Sequence, residues 1–412
     1  MNTAQYDHSL EKYAELAVKV GVNIQPGQYL WVAASIGTED FVRLVVKKAY
    51  EAGAGNVHVQ WSDEEVTRSF YEHAPEDEFN FYPPWLVEAH KEVIDKKGAI
   101  LSIESENPDL LAGISTDRIT SYAKVKAESL DYFYEVLEKD GISWSIVALP
   151  SQKWADKVFP DVSQNERVEK LWQAISRTVR IDQKNPVEAW NSHIELLQKR
   201  AAQLTEKNFA KLHYKGKGTD ITVELPEDHI WLTGASKNEQ GHPFIANLPT
   251  EEVYTVPHRL GVNGVVSNTK PLAYQGNIID GFSLTFEEGR VVDIKAEIGL
   301  ELLEKIVYMD DGSDYLGEIA LVPHQSPISS TGILFYNTLF DENASNHFAL
   351  GSCYPTCVKG GIFMNDLERE VHGLNDSVVH EDFMIGSEEM DIDGIHRDGT
   401  IEPVFRKGNW AF

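Results

Sequence analysis

Four short segments in the second half of the chain carry the residue types that could do chemistry. Glu251 and Glu252 are adjacent, Glu318 interrupts an apolar run, and Glu342, His347 and Tyr354 fall within thirteen residues. His380 and Asp382 stand two residues apart. Each group is embedded in small or apolar sequence, and none of the four segments contains a Lys or Arg. A buried charge persists only when it is paired or binds a metal. Acids and imidazoles without basic partners therefore point to a metal centre.

Taken singly, the segments leave alternatives open. Two adjacent glutamates in extended chain point to opposite faces, so one of Glu251 and Glu252 can meet an ion and the other is left to hydrogen-bond or act as a base. Alone, such a pair also fits a solvated loop. Glu318 is followed by Ile-Ala-Leu-Val and sits either at a strand's wet end or on a cation. His347 alone fits a hydrogen-bonded core histidine. The i,i+2 spacing puts His380 and Asp382 on one strand face and turns Glu381 outward. The conjunction is more telling. Glu252, Glu318, Glu342 and Asp382 with His347 and His380 make four carboxylates and two imidazoles. One zinc takes about three or four ligands. Six ligands, one of them bridging, suit two ions about 3.5–4 Å apart that activate water and polarise a carbonyl.

Composition narrows the partners. The chain has 412 residues and a formal charge of −28, which argues against nucleic acid and anionic membrane, since both need a positive face. No apolar run is long enough for a membrane span, and residues 1–24 read as an amphipathic helix rather than a signal peptide. Cys353 and Cys357 are the two cysteines, too sparse for a structural zinc site; they read as reduced, buried thiols. The cytoplasm is the expected compartment.

The elements that must position these groups divide at about residue 190. Residues 1–190 alternate strand and helix: strands over 29–34, 56–61, 98–104 and 143–149, helices over 38–52, 84–96 and 117–138. That order predicts an α/β domain with a mainly parallel, doubly wound sheet. Gly53-x-Gly55 closes a helix and lacks a third glycine, so it is not a dinucleotide fingerprint. Residues 167–207 read as helical with a break at Asn185-Pro186. Residues 191–412 predict a strand-rich α+β domain, with strands over 212–214, 220–225, 230–233, 278–286 and 290–296, a hairpin turn at 287–289 and a helix over 298–308.

Five ordered motifs resemble those of the thermophilic aminopeptidases, the aminopeptidase T or aminopeptidase S type of metallopeptidase. They are Asn-x-Pro-Thr-Glu-Glu-Val-Tyr-Thr at 247–255, Gly-Glu-Ile-Ala-Leu-Val at 317–322, Asn-Thr-Leu-Phe-Asp-Glu-Asn-Ala at 337–344 with His347, Tyr-Pro-x-Cys-Val-Lys-Gly-Gly at 354–361, and His-x-Asp-Phe-Met-Ile-Gly at 380–386. The likeness extends more loosely over nearly the whole chain. It implies a metal-dependent aminopeptidase with two divalent ions per chain (Zn, Co or Mn). Glu252, Glu318, His347, His380 and Asp382 would be ligands, with Glu318 as the bridge and Glu342 a ligand or close neighbour. Tyr354 would be the catalytic tyrosine, and Glu251 or Glu342 the base. It further implies a homodimer acting on peptides with a free N-terminus. Cys353 departs from the small residue expected beside Tyr354. Two rivals use the same residues differently. A mononuclear non-haem iron oxygenase would use His347, His380 and Asp382, and a small-ligand binding protein would keep the acids as structural groups.

Overall fold

The computed structural model describes residues 3–105, 107–274 and 276–412. The chain forms two compact units. Unit 1 holds the described residues through Ile114, with Ser129–Glu195 and Gly234–Thr250; unit 2 holds Ser115–Glu128, Leu196–Thr233 and Glu251–Phe412.

Unit 1 is built on a four-stranded parallel sheet in the order Asn56–Ser62, Tyr29–Ser35, Ala99–Glu104, Ser143–Ala148. Parallel strands need crossovers, and helices such as Glu39–Glu51 and Pro84–Asp95 supply them. The central strand, Tyr-Leu-Trp-Val-Ala-Ala-Ser, is apolar in near-continuous run and mostly buried on both faces. Local chemistry sets several helix ends. Asp63 caps Glu64–His73 by accepting from the backbone N–H of Glu65 and Val66, at 2.8 and 3.2 Å. Gly53, at φ +101°, ends the Glu39–Glu51 helix, and a Cβ on Gly55 would lie 2.5 Å from the Gly27 carbonyl. That pair closes a turn, in keeping with its lack of a nucleotide fingerprint.

Unit 2 is antiparallel. Eight strands run in the order Arg290–Lys295, Ser283–Glu287, Val262–Ser267, Thr219–Glu224, Lys211–Gly216, Asp391–Ile395, Ile401–Arg406, Asn409–Trp410. Five more run in the order His380–Met384, His347–Gly351, Leu316–Leu321, Val253–Thr255, Leu232–Thr233. Rings join the two sheets. Tyr214 of the larger sheet meets Phe348 of the smaller edge-on at 5.0 Å, and Phe383 packs on Phe282 at 5.6 Å. These rings point away from the chemistry-bearing face of the five-stranded sheet.

Three elements differ from the sequence expectation. The helix expected over 117–138 is two, Thr116–Ser129 and Asp131–Glu138, because Leu130 leaves helical dihedrals (φ −106°, ψ 12°) and its carbonyl starts the next turn. The strand expected over 278–286 is broken, since Asp280 accepts the Gly281 N–H in a turn with Gly281 at φ +61°. The N-terminal helix Thr3–Leu16 widens into a π-turn over Ala17–Gly21. The 287–289 hairpin forms as expected. Glu288 and Gly289 both have positive φ, and a Cβ at Gly289 would meet the Arg259 carbonyl at 1.8 Å, so glycine is obligatory there.

Candidate metal centre

Strand pairing in unit 2 gathers the acids and imidazoles on one sheet face. Residues opposite one another in antiparallel strands point to the same side. Glu318 is opposite Ala349, and Ala349 is opposite Asp382. Ala320, two residues on from Glu318, is opposite both Tyr254 and His347. Glu252 precedes Tyr254 by two and shares its parity. His380 shares a face with Asp382 by the same alternation. A register irregularity between Leu316 and Glu318 sets the latter against Ala349. The small side chains Ala320 and Ala349 leave room between the acids. The whole Leu316–Leu321 strand is buried, so Glu318 is not at a wet strand end.

The distances define two overlapping triads. Nε2 of His347 lies 3.1 Å from Oε2 of Glu252 and 4.0 Å from Oδ1 of Asp382. Nε2 of His380 lies 3.2 Å from Oε2 of Glu318 and 3.9 Å from Oδ2 of Asp382. Glu252, Glu318 and His347 offer ligand atoms within 4.8 Å of one another, and so do Glu318, His380 and Asp382. Glu318 belongs to both triads, and Asp382 approaches both imidazoles.

Each imidazole is oriented by a backbone carbonyl. Nδ1–H of His347 donates to the carbonyls of Glu342 and Ser345, at 3.0 and 3.1 Å, and Nδ1–H of His380 donates to the Ser352 carbonyl at 2.8 Å. With Nδ1 protonated, a neutral ring turns its Nε2 lone pair toward the carboxylates. Lone pair would then face lone pair at about 3 Å unless a proton or a metal cation lies between them. Asp382 reports the same lack. Among the described residues its buried Oδ1 has no hydrogen-bond partner.

Electrostatics agree with that reading. Burial pulls the His347 imidazole down, but the Glu252 hydrogen bond and the charges of Glu252, Asp382 and Glu318 outweigh it and hold the ring well above its usual range. Burial opposes protonation of His380 too, yet its bond to Glu318 and the neighbouring Asp382 push it up to about 10. Burial, with Asp382 and Glu252 nearby, raises Glu318 to about 7 against the opposing His380 bond. Glu342 lies well above the carboxylate range, through burial first and then the charges of Asp382 and Glu252. Both imidazoles, with Glu318 and Glu342, shift toward holding protons, in keeping with a cluster short of positive charge. Divalent cations would fill that need, and the mixed imidazole–carboxylate donor set fits them.

The remaining sequence candidates lie close by. Glu342 is buried, and its Oε1 accepts from Nδ2 of Asn343 at 3.1 Å. Glu251 is buried, and its backbone N–H donates to Oδ1 of Asn343 at 2.7 Å. The Tyr354 ring is half-buried, 4.9 Å from the His380 ring and 5.6 Å from Tyr254. Cys353 and Cys357 are buried thiols outside any disulfide, packed with Val256, Val358 and Leu374.

Glu381 corrects an expectation. Alternation does turn it from His380 and Asp382, but the reverse face is packed enough to leave the side chain half-buried rather than fully solvated. It shares that face with Phe383 and is opposite Leu350. Burial first, then the Asp382 charge, pushes its carboxyl well above the usual range. Sequence reasoning also passed over Asn343 and Asp341. Asp341 is buried and accepts from the N–H groups of Phe335 and Asn337, at 2.9 and 3.2 Å. The available signal was the polar run Asp-Glu-Asn-Ala-Ser-Asn over 341–346, which is buried throughout.

Known proteins resemble this chain over nearly its whole length. The family model described as thermophilic metalloprotease (M29) matches residues 6–410. Aminopeptidase AmpS of Bacillus subtilis is 51% identical over 99% of each chain. Aminopeptidase T of Thermus thermophilus is 40% identical over 98% of this chain and 99% of its own. The solved structure titled wild-type AmpT from Thermus thermophilus superposes with a TM-score of 0.91 at 39% identity, covering 99% of this chain and all of that one. Those matches run the full length, and they displace the iron-oxygenase and ligand-binding alternatives. A carboxylate–imidazole cluster short of positive charge, on a fold shared from end to end with a solved AmpT, has one consistent assignment: the chain belongs to the thermophilic metalloprotease (M29) family.

Proposed function

We propose that this metallopeptidase is an aminopeptidase with a two-ion centre, releasing the N-terminal residue of peptides. The observation that carries the reading is the sharing of Glu318 between two His–carboxylate triads. Glu252 and His347 would hold one ion, His380 and Asp382 the other, with Glu318 common to both and Glu342 a further ligand or neighbour. Bound divalent ions supply Lewis acidity, lowering the pKa of water toward about 7 and polarising a carbonyl. Zinc, cobalt and manganese all suit the donors.

The chain's own groups do the rest. A carboxylate, Glu251 or Glu342, takes the proton of the attacking water. The water oxygen adds to the first peptide carbonyl, the C–N bond breaks, and the proton passes to the leaving amine. The Tyr354 phenol, an O–H donor, donates to the developing oxyanion. An acid left free of the ions, Glu251 or Glu342, would bind the substrate's α-ammonium and so restrict cleavage to the first residue.

Coarser features extend the reading. Right-handed crossovers in the strand order of unit 1 send helices to opposite faces on either side of the Tyr29–Ser35 strand, which supports a doubly wound sheet. Unit 2 is the proposed catalytic domain. No helix among the described residues is long and apolar enough to cross a membrane, and the two thiols outside any disulfide suit the cytoplasm. Exposed Phe363, Leu367 and Val371, four residues apart, offer apolar surface for a second copy in a homodimer.

Elemental analysis beside peptide hydrolysis tests the core of this. The expected result is close to two divalent ions per chain, loss of hydrolysis in chelator, and recovery with zinc or cobalt. A leucyl peptide should be cut and its N-acetylated form spared. Saturation at one ion would refute the two-ion centre, and equal cleavage of the acetylated peptide would refute the aminopeptidase reading.

A further inference from the structure

Asn343 is fully buried, and every hydrogen-bonding position of its side-chain amide except one lone pair is used. One Nδ2–H donates to Oε1 of Glu342 at 3.1 Å and the other to the Leu339 carbonyl at 3.1 Å. Oδ1 accepts the backbone N–H of Glu251 at 2.7 Å. The amide cannot flip, since a flip would set Oδ1 against two acceptors and the NH2 group against an N–H donor. One side chain thus joins two separate stretches of sequence, both carrying acids of the metal-centre region.

We propose that Asn343 is a positioning residue: its amide holds the Glu342 carboxylate in place and ties it to the Glu251–Glu252 segment. The inference rests on the two-ion reading above. Oε1 of Glu342 is engaged by Asn343, and that bond sets the orientation of the carboxylate and so of Oε2. The bond to the Glu251 N–H fixes the backbone immediately before Glu252, whose carboxylate meets His347. Losing the amide donor removes a bond from a buried carboxylate, which lets it turn or favours its protonated form. Either change weakens its hold on a cation.

Two substitutions separate the halves of the clamp. Asn343→Asp is isosteric, keeps an acceptor for Glu251, and loses the donor to Glu342. Asn343→Ala loses both. The control is Asn238→Ala in unit 1. Asn238 is an equally buried amide whose Nδ2 donates to Ser143 Oγ at 3.0 Å and whose Oδ1 accepts from the N–H groups of Gln240 and His242, at 3.1 and 3.0 Å.

Zinc is titrated calorimetrically into metal-depleted parent and variants, with Tm and steady-state kinetics on a leucyl substrate. The inference expects both Asn343 variants to bind at least one zinc tenfold or more weakly than the parent. Their kcat should fall at least a hundredfold while KM moves less. Asn238→Ala should lose Tm yet keep parental zinc affinity and kcat. If the parent takes up two zinc ions and a folded Asn343 variant keeps zinc affinity and kcat within twofold, with only Tm reduced, the inference is overturned and the two-ion reading stands. If the parent takes up no zinc, the two-ion reading fails and this inference with it. Should one Asn343 variant not fold, the other decides by the same criteria.

Discussion

His193 in unit 1 is half-buried and His347 in unit 2 fully buried, and burial pushes both toward the neutral form. They end far apart. His193 donates from Nε2 to the Thr250 carbonyl at 2.8 Å, and burial with the nearby Arg180 charge lowers it to about 4. His347 also donates to carbonyls, but its second nitrogen meets Glu252, with Asp382 beyond, and it rises well above the usual range. A half-buried, hydrogen-bonded histidine and a candidate metal ligand therefore differ in what surrounds the second nitrogen. The sheets differ in the same sense. The parallel sheet of unit 1 buries neutral polar groups such as Ser143, whose Oγ accepts from Nδ2 of Asn238, whereas the five-stranded sheet of unit 2 buries Glu318 and His347. Neutral groups can be satisfied within the fold. Clustered carboxylates need a cation from outside it.

The sharpest way to break this contrast is to discharge the acid shared by both triads. Glu318→Gln keeps the shape and removes the charge. Metal content should fall below two ions, with activity down by several orders of magnitude, each tenfold being about 1.4 kcal/mol of barrier. Parental metal content and turnover would make Glu318 an ordinary buried acid.

Tyr354→Phe asks whether the phenol beside His380 acts on the reaction or only packs. Loss of one oxyanion donor should lower kcat by ~10²–10³ with metal content and KM nearly unchanged. A small fall in Tm with turnover within about twofold would assign the ring to packing alone.

His193 should show itself in stability instead. Its folded pKa, about 4, is below the unfolded value of 6.5. The unfolded chain therefore binds the extra proton between these values, and stability is lost as pH falls from 6.5 toward 4, by up to about 3 kcal/mol. His193→Gln retains an N–H donor without the titration. Its denaturation midpoint should depend less on pH across that window, with turnover near the parent's at pH 7. An unchanged slope would exclude His193 as a source of the acid sensitivity.

The smallest effect is expected at Glu381. Its folded pKa is raised, so its contribution to stability is lost as pH climbs above the ordinary carboxylate range. Glu381→Gln should hold Tm level or raise it at pH 7, converge with the parent near pH 4, and leave turnover within a few-fold. A loss of activity matching that of Glu318→Gln would contradict the facing set by the strand register.

Much of the site could be read in order along the chain. The i,i+2 spacing of His380 and Asp382 forecasts a shared strand face, because alternation is a property of extended backbone. The parallel sheet of unit 1 was legible for a similar reason, since apolar strands alternate there with helices marked by acidic starts and a glycine stop. Broken elements were harder. Leu130 interrupts a run whose composition suits continuity, whereas the break at Asp280-Gly281 is a local turn that the expected strand ran through.

Residue types, their periodicity and the absence of basic partners are sequence properties, and they were enough to call for a cation and to select its candidate ligands. Which atoms meet was decided only in three dimensions. The strand register puts Ala320 beside His347 and Ala349 beside Asp382, and backbone carbonyls from Glu342, Ser345 and Ser352 choose which imidazole nitrogen faces the acids. The same packing leaves Glu381 half-buried on the back of the His380 strand, where alternation alone turned it outward. Periodicity tells which side a residue takes. What lies on that side depends on contacts between segments remote in sequence, and no local pattern encodes them.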